Sequence, residues 1–466
     1  MFRRKCYEKL LEWKASSKGR TALLIEGARR VGKTTLAESF ADAEYDAHLV
    51  IDFSRASREV KNAFDEHSND IDTLLRMLQL YYGVELPRRQ SVIIFDEVQH
   101  LPKARETVKH LVADGRFDYI ETGSLISIKK NVSDIVIPSE EDRVYLRPMD
   151  FEEYLWAVKR EALTDEIRSC RERMAPLPNP IHKLANRMLD EYLVVGGMPQ
   201  AVTAFVEDGT FVQCERTKRR ILSLYREDIQ KFGGEDARRA LAVFDEIPGQ
   251  LSAASKKFKF GSLGKGSRRE YYEGALSWLE NSHIVNICRR CNDPNVGYRL
   301  SVDETAMKLY LGDTGLLVSH AFSDGEESLE VQKALQFGRV SVNKGMIVEN
   351  YVSQQLKAAG RNLFYYTWEE PPKDKNAHKL RPREIDFLIT KGYSNAAGKL
   401  RICPIEAKST RSYSTVSLDD FGKRWAKRVG EEVVVHPKQL KSEGYRVYLP
   451  LYMAFCVDYG DRKSVV

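Results

Sequence analysis

Residues 27–34 read Gly-Ala-Arg-Arg-Val-Gly-Lys-Thr, a complete G-x-x-x-x-G-K-T stretch. Ahead of it lies the apolar run Ala22-Leu-Leu-Ile25, and behind it a stretch of helix-forming residues from Thr34. Strand, glycine-rich turn and helix in that order make a phosphate-binding loop. Gly27 and Gly32 admit backbone angles closed to other residues. The amides of the loop and of the new helix turn can then surround a phosphate. Gly27, Ala28, Arg29, Arg30, Val31, Gly32, Lys33, Thr34 and Thr35 are the expected ATP contacts. Lys33 would reach the β- and γ-phosphates, and the Thr34 hydroxyl would ligate Mg2+.

A second element agrees with the first. Residues 92–97, Val-Ile-Ile-Phe-Asp-Glu, form an apolar strand ending in two acids. Acids seldom end a buried strand without a partner, because burying an unpaired charge is costly. Asp96 is expected to serve the magnesium through water, and Glu97 to polarise the attacking water. The next strand ends Ile120-Glu-Thr-Gly-Ser124. Ser124 is the favoured γ-phosphate sensor and Thr122 the second choice. A helix or turn cap is the competing reading. Spacing singles out no transition-state arginine. Arg143 and Arg226 are candidates, against the ordinary fate of pairing with a nearby acid.

At 466 residues the chain exceeds one ordinary core, so two or three domains are expected. A hydrophobic content of 42% suits a globular protein. No apolar run approaches the roughly 20 residues that span a bilayer. The start, Met-Phe-Arg-Arg-Lys-Cys-Tyr-Glu, lacks the apolar core of a secretion signal. A cytoplasmic location without membrane contact is therefore expected. Seven scattered cysteines suit reduced thiols, and the single C-x-x-C, Cys288 and Cys291, has no second pair at zinc-site spacing. The net charge of +6 permits nucleic-acid contact without requiring it.

Candidate strands at 21–26, 48–53, 91–95, 118–122 and 143–146, the clearest of them apolar throughout, alternate with helical stretches, including 34–41 and 70–82. That alternation predicts a parallel sheet covered on both faces. The fold class expected is α/β, with a parallel P-loop core over residues 1–150. A helical lid or connector follows over 151–235. A winged-helix-like module, with a small hairpin near 284–300, occupies 236–325. An α/β nuclease-like domain covers 326–466, with a helix at 344–359 and strands at 363–367, 384–389 and 400–407.

The last segment carries its own constellation. Asp386 lies in Glu384-Ile-Asp-Phe-Leu-Ile389, and after a hairpin comes Pro404-Ile-Glu-Ala-Lys408. An Asp followed on the next strand by Glu-x-Lys is the pattern of the PD-(D/E)xK nuclease fold. Strand alternation puts Glu406 and Lys408 on one face. Asp386 and Glu406 would share a second divalent metal, and Lys408 would orient or activate its water. Glu349, in the preceding helix, is a further carboxylate. The competing reading is a Glu406–Lys408 ion pair with Asp386 paired to an Arg such as Arg383. Gly312-Asp-Thr-Gly315 matches half of an aspartic-protease site but has no second copy, so it reads as a turn.

These residues together resemble a prokaryotic family of AAA+-like ATPases whose C-terminal domain of unknown function is similar to PD-(D/E)xK nucleases. The resemblance runs through Gly27–Thr34, Phe95-Asp-Glu-Val-Gln99, Thr122-Gly-Ser124, Gly196-Gly-Met-Pro199 and Tyr225-x-x-Asp228. It continues through Ile247-Pro-x-Gln-Leu251, Tyr310-x-x-Asp313-Thr-Gly-Leu-Leu317, Glu349-Asn, Glu384-Ile-Asp386-Phe and Ile405-Glu-x-Lys408. It implies an additional-strand, catalytic-glutamate ATPase core, a lid, a winged-helix-like connector and the nuclease-like tail. ATP with Mg2+, DNA or RNA, and a homo-oligomer are the implied partners. The leading expectation is an ATPase whose nucleotide state controls the tail on nucleic acid. The alternative is an ATP-dependent switch or scaffold with a catalytically inactive tail.

Overall fold

A computed structural model describes residues 1–123, 140–232, 234–322, 343–371, 380–392 and 400–458. The chain divides into two compact units. The first holds Met1–Arg147 with Asn281–His283, and the second Pro148–Glu280 with Ile284–Val466.

The first unit is built on β1 (Ala22–Glu26), β2 (Ala47–Asp52), β3 (Ser91–Asp96), β4 (Asp118–Gly123) and β5 (Glu141–Tyr145). Their order is β2-β3-β4-β1-β5, and every pairing is parallel. β4 thus stands between the strand before the glycine loop and the strand ending in Asp96. That is the additional strand implied by the resemblance. β1 and β3 are buried at every position, as two-sided cover requires, and read as nearly continuous apolar runs. Leu23, Ile25, Val92 and Ile94 pack with Trp13, Leu36 and Phe40 on one side. Leu24, Ile93, Phe95 and Tyr119 pack with Phe64, Leu74 and Leu111 on the other.

The second unit joins a helical segment to an eight-stranded mixed sheet. The helices are Phe151–Ala157, Glu161–Glu172, Asn179–Val195, Pro199–Asp208, Phe211–Phe232 and Ala237–Ser252. The first opens with a capping box, Asp150 accepting from the Glu153 amide and Glu153 reaching back to the Asp150 amide. The sheet uses β6 (Val285–Cys291), β7 (Val302–Leu311), β8 (Leu363–Glu370), β9 (Arg381–Gly392), β10 (Leu400–Ala407), β11 (Glu432–His436), β12 (Lys441–Glu443) and β13 (Arg446–Pro450). Their order is β12-β13-β11-β10-β9-β8-β6-β7. The helix Lys344–Ala358 is buried from Met346 to Leu356.

The hairpin β6–β7 joins the C-terminal sheet, because its strand β6 pairs in parallel with β8. Exposed strand edges favour such addition, because unpaired amides and carbonyls seek partners. The helical segment over 151–235 falls in the same compact unit as that sheet, not with the P-loop core. No helix among the described residues is long and apolar enough to cross a membrane.

The Gly-Gly-Met-Pro and Asp-Thr-Gly motifs meet inside this unit. Asp313 is buried and accepts from the Gly197 amide at 2.6 Å and the Leu316 amide at 2.9 Å. The Gln354 side-chain amide reaches it at 3.2 Å. A Cβ on Gly197 would lie 2.0 Å from the Met149 carbonyl oxygen, so only glycine admits this approach. Asp313 caps the helix Thr314–Ala321 and ties it to the preceding helices.

Candidate functional site

The glycine loop joins β1 to the helix Lys33–Glu44. Gly32 caps that helix at φ +96°, and no side chain caps its first turn among the described residues. The first-turn amides of such a helix carry partial positive charge and lack intrahelical acceptors. A Cβ on Gly27 would lie 2.3 Å from the Leu146 carbonyl oxygen, which accounts for the glycine. Lys33 Nζ donates to the carbonyls of Gly27 at 3.1 Å and Ala28 at 3.2 Å. Its ammonium is therefore held inside the loop, and the residue is 7% exposed.

Thr34 Oγ1 donates to Asp96 Oδ1 at 2.8 Å. The Thr122 hydroxyl donates to the same oxygen, and the Glu97 amide donates to Thr122 Oγ1 at 3.4 Å. Burial pushes the Asp96 carboxyl above its ordinary range, against the bonds from Thr122 and Thr34 that favour the charged form. Glu97 sits in the left-handed region at φ 52°, ψ 46°, and its carboxylate accepts from the Gln99 side-chain amide. Such backbone costs a non-glycine residue about 1 kcal/mol and clusters at working sites. The sheet order explains the convergence. β4 lies beside β3, so Thr122 reaches Asp96 from the neighbouring strand end. A hydroxyl and a carboxylate meeting at one point are hard oxygen donors of the kind Mg2+ takes, so these residues fit that ion.

The sequence-predicted residues Lys33, Thr34, Asp96 and Glu97 are thus brought together. Ser124, the favoured sensor, lies outside the described residues. Thr122, the second choice, makes the contact to Asp96. Arg143 pairs with Glu141 at 2.8 Å and Glu26 at 3.5 Å, and Arg226 with Asp245 at 2.8 Å. Sequence reading missed a buried bridge, Arg105 to Glu121 at 3.1 Å and to Glu141 at 2.5 Å. Burial pushes the Glu121 carboxyl upward, against the Arg105 guanidinium. The one signal was an arginine among apolar positions of the helix Pro102–Asp114.

The second unit assembles the other constellation on β7, β9, β10 and the helix Lys344–Ala358. Lys408 Nζ lies 2.7 Å from Glu406, on one face as alternation requires. Asp386 Oδ2 accepts from the Ala407 amide at 2.9 Å. Arg383 pairs with Asp420 at 2.7 Å and not with Asp386. The cation facing Asp386 is Lys308, at 3.6 Å. Lys308 also lies 2.9 Å from Glu349 and 2.6 Å from Glu384. Lys256 and the Tyr310 hydroxyl contact Glu349 as well. Burial opposes the charge on Glu349, but Lys308 and Lys256 hold its carboxyl well below the usual range. Burial pushes Glu406 up to about 7, against Lys408. Lys308 was not singled out in the sequence, because it stands outside the Asp…Glu-x-Lys pattern. Among the described residues, no group of three or more His, Cys, Asp or Glu is arranged to hold a metal ion.

Residues 19–155 match the AAA domain family. Residues 186–327 match a domain of unknown function (DUF8612), and residues 344–453 another (DUF4143). No curated protein matches the chain. Among solved structures, the Walker-type ATPase PABY2304 of Pyrococcus abyssi is similar at 16% identity and TM-score 0.41, covering 69% of this chain and 96% of its own. The Aeropyrum pernix ORC1 protein in complex with DNA is similar at 14% identity and TM-score 0.26, covering 70% and 93%. The AAA match, the β2-β3-β4-β1-β5 order and the glycine loop agree: residues 19–155 form an AAA-type P-loop ATPase domain.

Proposed function

We propose that this chain binds and hydrolyses ATP and that its nucleotide state governs the C-terminal nuclease-like region, which engages nucleic acid without cutting it. The convergence of Thr34 and Thr122 on one oxygen of Asp96 carries the ATPase reading. The loop amides and Lys33 would hold the β- and γ-phosphates. Thr34 and Asp96 would hold Mg2+, which when bound neutralises charge developing on the phosphates. Glu97 would accept a proton from the attacking water. Thr122 positions Asp96 and ties the Glu97 amide to the same point, and Ser124 remains a proposed sensor. ATPases of this kind often complete their sites between subunits, and a homo-oligomer is part of the proposal. So is the partition into a P-loop core, a helical lid or connector, a winged-helix-like module and a nuclease-like tail.

Two readings of the tail compete. Metal-dependent cleavage would use Asp386, Glu406 and Lys408. Binding without cleavage is favoured by the engagement of those carboxylates with lysines and a main-chain amide. The test is ATP turnover with and without DNA or RNA, paired with binding of labelled nucleic acid across a salt series. Turnover lost in Glu97→Gln, and nucleotide-dependent binding without product strands, support the proposal. Normal turnover in Glu97→Gln, or strand scission lost in Asp386→Ala, overturns it.

A further inference from the structure

The nuclease-like pattern implies a divalent cation between Asp386 and its neighbours. Against Asp386 the structure puts a lysine. Lys308 is buried on β7, 0% exposed, and its ammonium faces Glu349, Glu384 and Asp386 at 2.9, 2.6 and 3.6 Å. An ammonium among three carboxylates offers them a positive charge and three N–H donors. The rest of the cluster is closed in the same way. Glu349 is also met by Lys256 and the Tyr310 hydroxyl, Glu406 by Lys408, and Asp386 by the Ala407 amide. Glu349, Glu384, Asp386 and Glu406 are offset by Lys256, Lys308 and Lys408, which leaves little negative charge to attract a dication. The lysine is also firmly placed. β7 pairs with β6 along its length, and β6 pairs with β8.

We infer that Lys308 is the resident cation of the Glu349, Glu384 and Asp386 cluster and that, with Lys408 on Glu406, it keeps the site metal-free. The lysine comes from the region matching one family and its carboxylates from the region matching another. The middle of the chain therefore completes the acidic site of the tail in cis. This inference goes beyond the ATPase reading and stands whether or not the first unit hydrolyses ATP.

The test uses the full chain without nucleotide and MnCl2 as the probe. Melting temperature and calorimetric binding are compared in wild type, Asp386→Asn, Lys308→Met and Lys308→Met with Asp386→Asn. Any manganese response of the P-loop is common to all and cancels. Wild type and Asp386→Asn should respond alike. Lys308→Met should melt lower without metal and regain about 5 °C in millimolar manganese. That gain should vanish when Asp386→Asn is added. A manganese response in wild type that Asp386→Asn abolishes overturns the inference. So does a folded Lys308→Met that responds no more than wild type. If Lys308→Met does not fold, the wild-type and Asp386→Asn comparison alone decides, since equal responses support the inference and unequal ones sink it.

Discussion

Thr34 Oγ1 and Asp96 Oδ1 lie 2.8 Å apart, although 62 positions separate them in the chain. One belongs to the helix after β1 and the other ends β3, and β4 stands between these strands. The contact exists because parallel strands deliver their C-terminal ends to one edge of the sheet.

Loss of the loop cation should weaken nucleotide binding. Lys33→Ala removes the ammonium held between the Gly27 and Ala28 carbonyls. A charge-assisted contact is worth about 1.5–3 kcal/mol, so ATP affinity should fall about 10- to 100-fold. Titration with a fluorescent ATP analogue measures it, and unchanged affinity would remove Lys33 from the site.

Glu97→Gln should separate binding from turnover. The amide keeps the shape and the Gln99 contact zone but cannot take a proton. ATP should bind with wild-type affinity while kcat falls by about 100-fold or more. Single-turnover hydrolysis beside equilibrium binding reads both quantities.

Thr122→Val keeps the shape of the side chain and deletes its hydroxyl. Asp96 loses one donor and the Glu97 amide its acceptor. Turnover should drop about tenfold with little change in affinity. A variant indistinguishable from wild type would make Thr122 a mere packing residue.

Arg105 should matter for stability rather than chemistry. Arg105→Met leaves Glu121 and Glu141 buried without their shared partner, at a cost of about 3–5 kcal/mol. Adding Glu121→Met should recover most of it. Urea unfolding of the single and double variants is the measurement, and additive losses would contradict the bridge.

Burial pushes the Asp190 carboxyl up to about 6, against Lys344. Because the folded value exceeds the unfolded one, this group stabilises the fold at low pH, and that stability is lost as pH rises through 6. Asp190→Asn should therefore match wild type near pH 4 and exceed it by about 2 kcal/mol at pH 8. Denaturation of both proteins across that range checks the sign.

The P-loop core was legible because local rules and global fold agree there. The continuous apolar strands, the glycines and the terminal acids each have one reading. Element positions were recovered within a few residues for β1 to β5 and for β8 to β10. β11 to β13, after Ser409, were not anticipated, although β11 is buried throughout. Short apolar runs such as Val433-Val-Val435 do not declare which strand they will join.

The sequence by itself determined the phosphate cradle, because its chemistry is local: backbone freedom at Gly27 and Gly32, a lysine and a hydroxyl in one short loop. Tertiary structure alone decided the character of the C-terminal acids. Asp386, Glu406 and Lys408 look the same in one dimension whether or not a metal joins them. What differs is Lys308, 78 positions before Asp386, which strand pairing carries into the cluster. Charges act through space, and in a buried site the nearest cation matters more than the nearest motif.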